Sequence, residues 1–536
     1  MESKSATIGK VDIEPGNLWD SAGGSLFSRR DFVQRAGSGL ASAAVLTSLP
    51  GPLLRAGPAD TTGIVSLTAL ELSQAISKKT LSCKEVMSAY LAHIENINPV
   101  FNAIVSLQDP DSLMQQATRC DQELAQGTSR GWMHGFPIAI KDLADAEGLK
   151  TTRGSPIFRD NIAAEDSIHV ARIKDAGAII IGKTNVPEFG LGSHTYNPVF
   201  GATVNAYDGR SSAGGSSGGA AVALALQMLP VADGSDLMGS LRNPAAFNNV
   251  IGYRPTPGLV PLSESFIEEL PCNGPMGRNV QDTAMLLSTI AGYHPRSPTS
   301  LKLDPAQFRR PLAKDFTDIR IGWLGDFDGY LPMENGILSL CEKALQGFRD
   351  NGCIVEQVTL DYSMEQLWQT WLTFRHWLVR ARALPLYQNP ETRAQLKPEL
   401  VWEIEGGENI SGDQVAAASR SRGFWYGALR QAFAQFDFLV LPTAQVFPFD
   451  AEIHWPKQIA GRSMDTYHRW MEVVIPGTLS GCPVVNVPAG FGDRGLPMGL
   501  QIIGKRYADF ATLQMAYAYE QASRWNLDTH PPILSS

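Results

Sequence analysis

Residues 209–245 read "GRSSAGGSSGGAAVALALQMLPVADGSDLMGSLRNPA". The segment starts as a Gly/Ser-rich loop, turns into an Ala/Leu/Val run, and ends in a second Gly-Ser step with Arg242 close behind. A flexible linker is the plainest reading of such a start. It fails because "GGAAVALALQM" (218–228) is apolar on nearly every face, and a helix of that kind is buried. A phosphate-binding loop fails as well: the Walker pattern needs Gly-Lys-Ser/Thr, and no lysine lies between Arg210 and Arg242. A nucleophile site remains. Gly215-Ser216-Ser217-Gly218-Gly219 formally fits G-x-S-x-G, which would make Ser217 the elbow serine of an α/β-hydrolase. That elbow follows an apolar strand, whereas "NAYDGRSSAG" (205–214) is polar and turn-like. The later histidines (His294, His376, His454, His468 and His530) stand in no distinctive context. Ser217 stays a weaker rival.

A chain of 536 residues is longer than one hydrophobic core usually grows, so two domains or one large one is the starting expectation. The composition, 44% hydrophobic and 18% charged, is globular. A formal charge of −9 without any basic stripe argues against a nucleic-acid surface, which needs clustered Lys and Arg. The six cysteines form no C-x-x-C pair and have no histidine at ligand spacing, so no metal site is expected and they read as buried thiols.

Outward from the opening stretch, helix and strand patterns alternate with short breaks. "LTALELSQAISKKT" carries apolar residues at helical spacing, and Ser82-Cys83-Lys84-Glu85 is a capping box opening the next helix. "GFPIAIKDL" and "AGAIIIGKTNV" are short apolar runs that predict buried strands, with helical "DSIHVARIKDA" between them. "IRIGWL", "CIVEQVTL", "DFLVLPT" and "PVVNVPAGF" predict further strands, separated by helix patterns at 333–350, 363–386, 412–435 and 508–524. This order predicts an α/β protein with a large, mostly buried sheet and one catalytic unit over residues 60–536.

These residues carry a family resemblance. "GGSSGGAA", a buried helix and "DGSDLMGSLRNPA" resemble the amidase signature family, as does the upstream Gly135-Phe136-Pro137-Ile138-Ala139-Ile140-Lys141-Asp142. "GKTNVPEFG", "NPVFGATVNAYD", "VIGYRPTPGLVP", "GPMGRNVQDTAMLL" and "GCPVVNVPAGF" follow in the family's order, so the resemblance spans about residues 65–525. It implies a large mixed, twisted sheet covered by helices on both faces, and a Ser-Ser-Lys triad. Ser240 would be the nucleophile, Ser216 the bridging serine on a cis peptide, and Lys141 the base; Ser217 would only support the loop. Backbone N–H groups of Leu237, Met238, Gly239 and Ser240 would form the oxyanion hole. Met238 stands where relatives usually have glycine, and is expected either to shape the substrate pocket or to fill the core. Gly190 and Leu191 align with residues that border substrate in relatives. The Trp-rich helix "LWQTWLTFRHWLVRARALP" is expected in the core, with part of it available to roof an apolar pocket.

The chemistry has its own logic. A serine hydroxyl is a weak nucleophile and needs an adjacent base. With no suitable histidine a neutral lysine can serve, but lysine titrates near 10.4, so half-neutrality near pH 7.4 requires a drop of about 3 units. Burial supplies shifts of that size. An alkaline activity optimum follows. The expected reaction is hydrolysis of a neutral, apolar carboxylic amide by water through a serine acyl-enzyme, with neither metal nor organic cofactor. The rivals are an ester or carbamate hydrolase, the A subunit of a tRNA-dependent amidotransferase, and a non-catalytic binding protein. No nucleic acid or membrane span is expected, and the choice between monomer and homodimer stays open.

Residues 1–59 read separately. Ser28-Arg29-Arg30-Asp31-Phe32-Val33 precedes a weakly apolar, small-residue segment and resembles a twin-arginine export signal, with cleavage near Ala56 to Ala59. The expectation is export to the periplasm or medium. The run from Ala36 to Leu54 contains Gly and Pro and is too weakly apolar to predict a spanning helix.

Overall fold

A computed structural model describes residues 61–262, 264–267 and 270–534. The twin-arginine segment lies outside the described residues. After a short helix at Thr61–Ser66 come helices α1 (Ala69–Ser77) and α2 (Cys83–Phe101), the latter opened by the expected capping box from Ser82 and Glu85.

Three strands then form a small sheet: β1 (Ile104–Val105), β2 (Pro137–Lys141) and β3 (Ile179–Thr184), in the order β1-β3-β2. β2 and β3 run parallel, with Pro137 opposite Ile179 and Lys141 opposite Thr184, and helix α3 (Ile168–Asp175) lies between them in sequence. Both strands are buried along their whole length, which is why they read as apolar runs and not as alternating ones.

Next come helix α4 (Gly218–Ala225), strand β4 (Val231–Asp236), helix α5 (Arg242–Phe247), and strands β5 (Ile251–Arg254), β6 (Cys272–Gly277), β7 (Arg320–Trp323) and β8 (Ile354–Gln357). Helices α6 (Met364–Gln388), α7 (Pro398–Gly406) and α8 (Gly412–Ala432) precede β9 (Phe438–Pro442), β10 (Val484–Phe491), β11 (Pro497–Ile503) and α9 (Asp509–Ser523). Eight of these strands make one mixed sheet in the order β8-β7-β9-β11-β10-β5-β6-β4. β8, β7 and β9 pair in parallel and the rest antiparallel. The expected α/β architecture with a large mixed sheet is the one observed.

Helix α4 packs against β3 and β4, and all its residues are buried, so the Gly/Ser segment before it is pinned and not a linker. Gly219 has to be glycine: a Cβ there would sit 2.3 Å from the Asn185 backbone nitrogen. β4 and β6 are absent from the sequence reading, since "VADGSD" and "CNGPMG" are rich in Gly and polar residues. β6 accommodates Pro275 because its ladder with β5 covers only Gly277 and Met276. β2 packs on β4, so the small sheet meets the last strand of the large one, and the site forms at that junction. All six cysteines are buried free thiols. Among the described residues no helix is long and apolar enough to cross a membrane.

Candidate active site

Lys141 is the last residue of β2 and is 1% exposed. Its Nζ lies 2.9 Å from Ser216 Oγ, 2.8 Å from Ser217 Oγ, 3.0 Å from Ser235 Oγ and 3.2 Å from the Ser235 carbonyl oxygen. None of these partners carries charge. Burial therefore pushes the amine down to about 7, against an upward pull from Asp233 and Asp236. A neutral amine has two N–H donors and one lone pair. With the Ser235 carbonyl able only to accept, the lone pair is left to take a proton from a hydroxyl.

The Gly215–Ser216 peptide is cis, as the resemblance implies. Ser193 Oγ donates to the Gly215 carbonyl at 2.6 Å and Thr195 Oγ1 to the Gly214 carbonyl at 2.8 Å, which fix the loop from the side. Gly214 adopts φ +72°, and a Cβ on it would lie 2.8 Å from Pro244 Cα. Ser217 holds more than the loop: its hydroxyl is the nearest of the four oxygens around Lys141 Nζ. It is also fully buried and no strand leads into it, so the elbow geometry that would make it a nucleophile is missing.

Ser240 sits in the turn between β4 and α5, 8% exposed, with its carbonyl accepting the Ser217 N–H at 3.3 Å. Asp236 organises this turn. Its carboxylate accepts from the Gly239 and Leu241 N–H groups at 2.9 and 3.2 Å, and from Arg242 through Nε and Nη2, both at 3.0 Å. Arg254 Nη1 approaches at 3.3 Å. Burial opposes the charge on Asp236, but the two guanidiniums outweigh it and hold the carboxyl well below the usual range.

The same contacts correct the oxyanion expectation. The Gly239 N–H is already committed to Asp236, so it is not an available donor. The N–H groups of Leu237, Met238 and Ser240 have no protein partner among the described residues. Met238 itself is 3% exposed and belongs to the main apolar core, not to the cavity wall, because the turn directs the space beside Ser240 to other residues.

Ser216 and Ser240 open on one cavity of about 420 Å³. Gly190 and Leu191 line it, and a Cβ on Gly190 would come within 3.4 Å of Ser216 Oγ. The two serine hydroxyls are within one cavity but not in mutual hydrogen-bond contact, a separation common for catalytic groups before substrate binds. One face of α6 closes the cavity with Arg375, Val379, Ala383 and Leu386, while its Trp368 and Trp371 are buried in the main core. The helix is the expected one; the residues it contributes are not the tryptophans. Arg375 is itself committed, donating to Glu403 Oε1 at 2.7 Å and to Tyr467 Oη at 2.8 Å.

A second cavity of about 500 Å³ reaches Lys141 from the other side, lined by His169, Asp233 and Asn273. Asp233 accepts the Lys141 backbone N–H at 2.9 Å through Oδ1 and faces His169 Nε2 at 3.2 Å through Oδ2. Sequence reasoning misses Asp233, His169 and Ser235. The Gly-rich, polar composition of β4 reads as a turn and leaves no signal for Asp233 or Ser235 in the sequence.

The amidase family profile matches residues 85–513. The chain is 33% identical to the A subunit of the glutamyl-tRNA(Gln) amidotransferase of Cyanothece sp. over 86% of this chain and 99% of that one. It is 30% identical to an acylamidase of Rhodococcus erythropolis over 86% and 96% of the two chains. A bacterial aryl acylamidase of the amidase signature family superposes with a TM-score of 0.79 at 31% identity, covering 86% of this chain and 96% of that one. The chain therefore belongs to the amidase signature family of amide hydrolases.

Proposed function

We propose that the protein hydrolyses a carboxylic amide with an apolar body through an acyl-enzyme on Ser240. The observation that carries this reading is a buried lysine without a carboxylate partner: Lys141 is surrounded by hydroxyl and carbonyl oxygens, and burial pushes its amine down to about 7, where a large share of it is neutral. In the proposed first step the Lys141 lone pair takes the Ser216 proton, Ser216 takes that of Ser240, and Ser240 Oγ attacks the carbonyl carbon. The N–H groups of Leu237, Met238 and Ser240 would receive the developing oxyanion, preorganised stabilisation of the kind that usually dominates such catalysis. The relay then returns the proton to the leaving nitrogen. Water, deprotonated by the same relay, releases the acid.

An ester would pass through the same acyl-enzyme. Leu191, Val379, Ala383, Leu386 and Leu400 on the cavity wall beside Ser240 suit the apolar body of the substrate. Ser240→Ala should lower kcat by about 10⁴-fold or more, and a fluorophosphonate should attach to Ser240. Wild-type turnover by the variant, or an adduct on Ser217, would overturn the assignment. Export through the Arg29-Arg30 signal is part of the proposal, tested by fractionating cells that express the full chain and its Arg29→Lys, Arg30→Lys variant.

A further inference from the structure

The two cavities share a wall, and Arg153 is on it. This residue is unusual in several independent respects. Its backbone adopts φ +54°, a left-handed conformation that side-chain-bearing residues avoid unless the surroundings impose it. The surroundings do: its N–H donates to the carbonyl of Asp142, next to Lys141, at 3.0 Å, and its carbonyl accepts the Phe189 N–H at 2.8 Å. The guanidinium lies over the Phe158 ring at 5.0 Å, and Phe158 meets Phe189 edge to face at 6.1 Å. Both rings line the cavity that holds Ser240.

The Phe158 ring offers no hydrogen-bond acceptor in the plane of the guanidinium, so the N–H groups of Arg153 must find acceptors elsewhere. The Nε–H is buried with no hydrogen-bond partner. The nearest carboxylate, Asp145, is 3.8 Å from Nη2, beyond hydrogen-bond reach, and both side chains are more than one-third exposed. The other charges on the walls are satisfied differently: Arg375 by Glu403, and Asp236 by Arg242 and Arg254. Arg382 of α6 lines the same shared wall. A guanidinium on the shared wall with no carboxylate in hydrogen-bond reach, beside an apolar lobe, offers the donors that a carboxylate-binding fork uses.

We infer that Arg153 binds a carboxylate carried by the substrate, so that the amide is apolar on one part and anionic on another. This rests on the amidase reading of Ser240 for its place in turnover, and it replaces the expectation of a neutral substrate. Binding tests it without turnover. In an S240A background, calorimetry compares N-benzoylglycine with N-ethylbenzamide, and N-phenylsuccinamic acid with N-phenylbutanamide; each pair differs by a carboxylate in place of a methyl. At least one acid should bind about tenfold or more tighter than its neutral partner. Arg153→Gln should abolish that ratio, and Arg153→Lys should retain part of it, with circular dichroism showing each variant folded. Equal binding within both pairs, or a ratio untouched by Arg153→Gln, overturns the inference. Fluorophosphonate labelling of wild-type Ser240 is read separately. A carboxylate preference without labelling would defeat the serine assignment alone, and labelling without a preference would defeat the subsite alone.

Discussion

Lys141 and Arg242 are two buried basic side chains of one site, and they are held in opposite ways. Arg242 lies at 0% exposure against Asp236, bonded through two nitrogens, with further bonds to the Gln501 and Thr478 side chains and to the Val474 carbonyl. Lys141, equally buried, faces three hydroxyls and a carbonyl and no carboxylate within hydrogen-bond distance of Nζ. A guanidinium cannot lose its proton and so must be paired. An ammonium can, and burial without a partner makes it do so. The difference separates scaffold from the proposed chemistry: Asp236 and Arg242 shape the turn that holds Ser240, and Lys141, with no carboxylate pairing its charge, can lose its proton and serve as the proposed base.

Substitution at Lys141 should break that contrast most severely. Lys141→Ala removes the base and should cost about 10²–10⁴-fold in kcat, with far-UV dichroism unchanged. Lys141→Arg is the sharper test, because it keeps a cation that cannot be deprotonated. It should be as inactive as alanine, and it should also lower the melting temperature by burying a charge without a partner. Activity in the arginine variant would mean that the positive charge, and not the lone pair, is what the site uses.

On the scaffold side the expected loss is of fold before rate. Asp236→Asn leaves Arg242 and Arg254 buried without their carboxylate, and breaking such an arrangement costs about 3–5 kcal/mol. Denaturant unfolding should show it. The Asp236 carboxyl is held below its unfolded value, so its contribution is present above the unfolded value and fades only as pH falls through the lower folded one. The deficit of the variant should therefore be constant through neutral pH. A variant as stable as wild type would remove the scaffold half of the contrast.

The fold is legible where burial leaves a plain mark. Apolar "PIAIK" and "IIIGKT" read as strands, and Ser82 with Glu85 marks a helix start. Lys141, Ser216 and Ser240 can be singled out because a family resemblance ties them together across widely separated stretches of chain. What stays hidden has a common cause. β4 carries Asp233, Ser235 and Asp236 on a strand whose composition suits a turn, and only its pairing with β6 makes it a strand. Met238 and the α6 tryptophans can be assigned to core or cavity only once the turn and helix have a direction, because large apolar side chains serve either place. Arg153 gives no signal at all, since a left-handed backbone at a non-glycine residue leaves no trace in composition.

The finest test of the contrast lies between the two extremes, at Asp233. Its carboxylate is tied to the Lys141 backbone N–H and to His169, and so adds negative potential near the amine without pairing with it. That potential raises the proton affinity of Lys141, opposing burial. With the neutral amine as the proposed base, kcat/KM should climb as pH rises through about 7 and then level off. In Asp233→Asn the upward pull is lost, so the amine releases its proton at lower pH and the acid limb should move down while the plateau changes little. Native-state stability should follow the same sign. Below the folded value Lys141 is protonated in both states; between about 7 and the unfolded value near 10.4 only the unfolded chain keeps the proton, so raising pH through that window favours the fold. The Asn variant should begin this rise at lower pH. An acid limb that stays in place, or moves up, would show that the carboxylate positions the strand without setting the charge of the base.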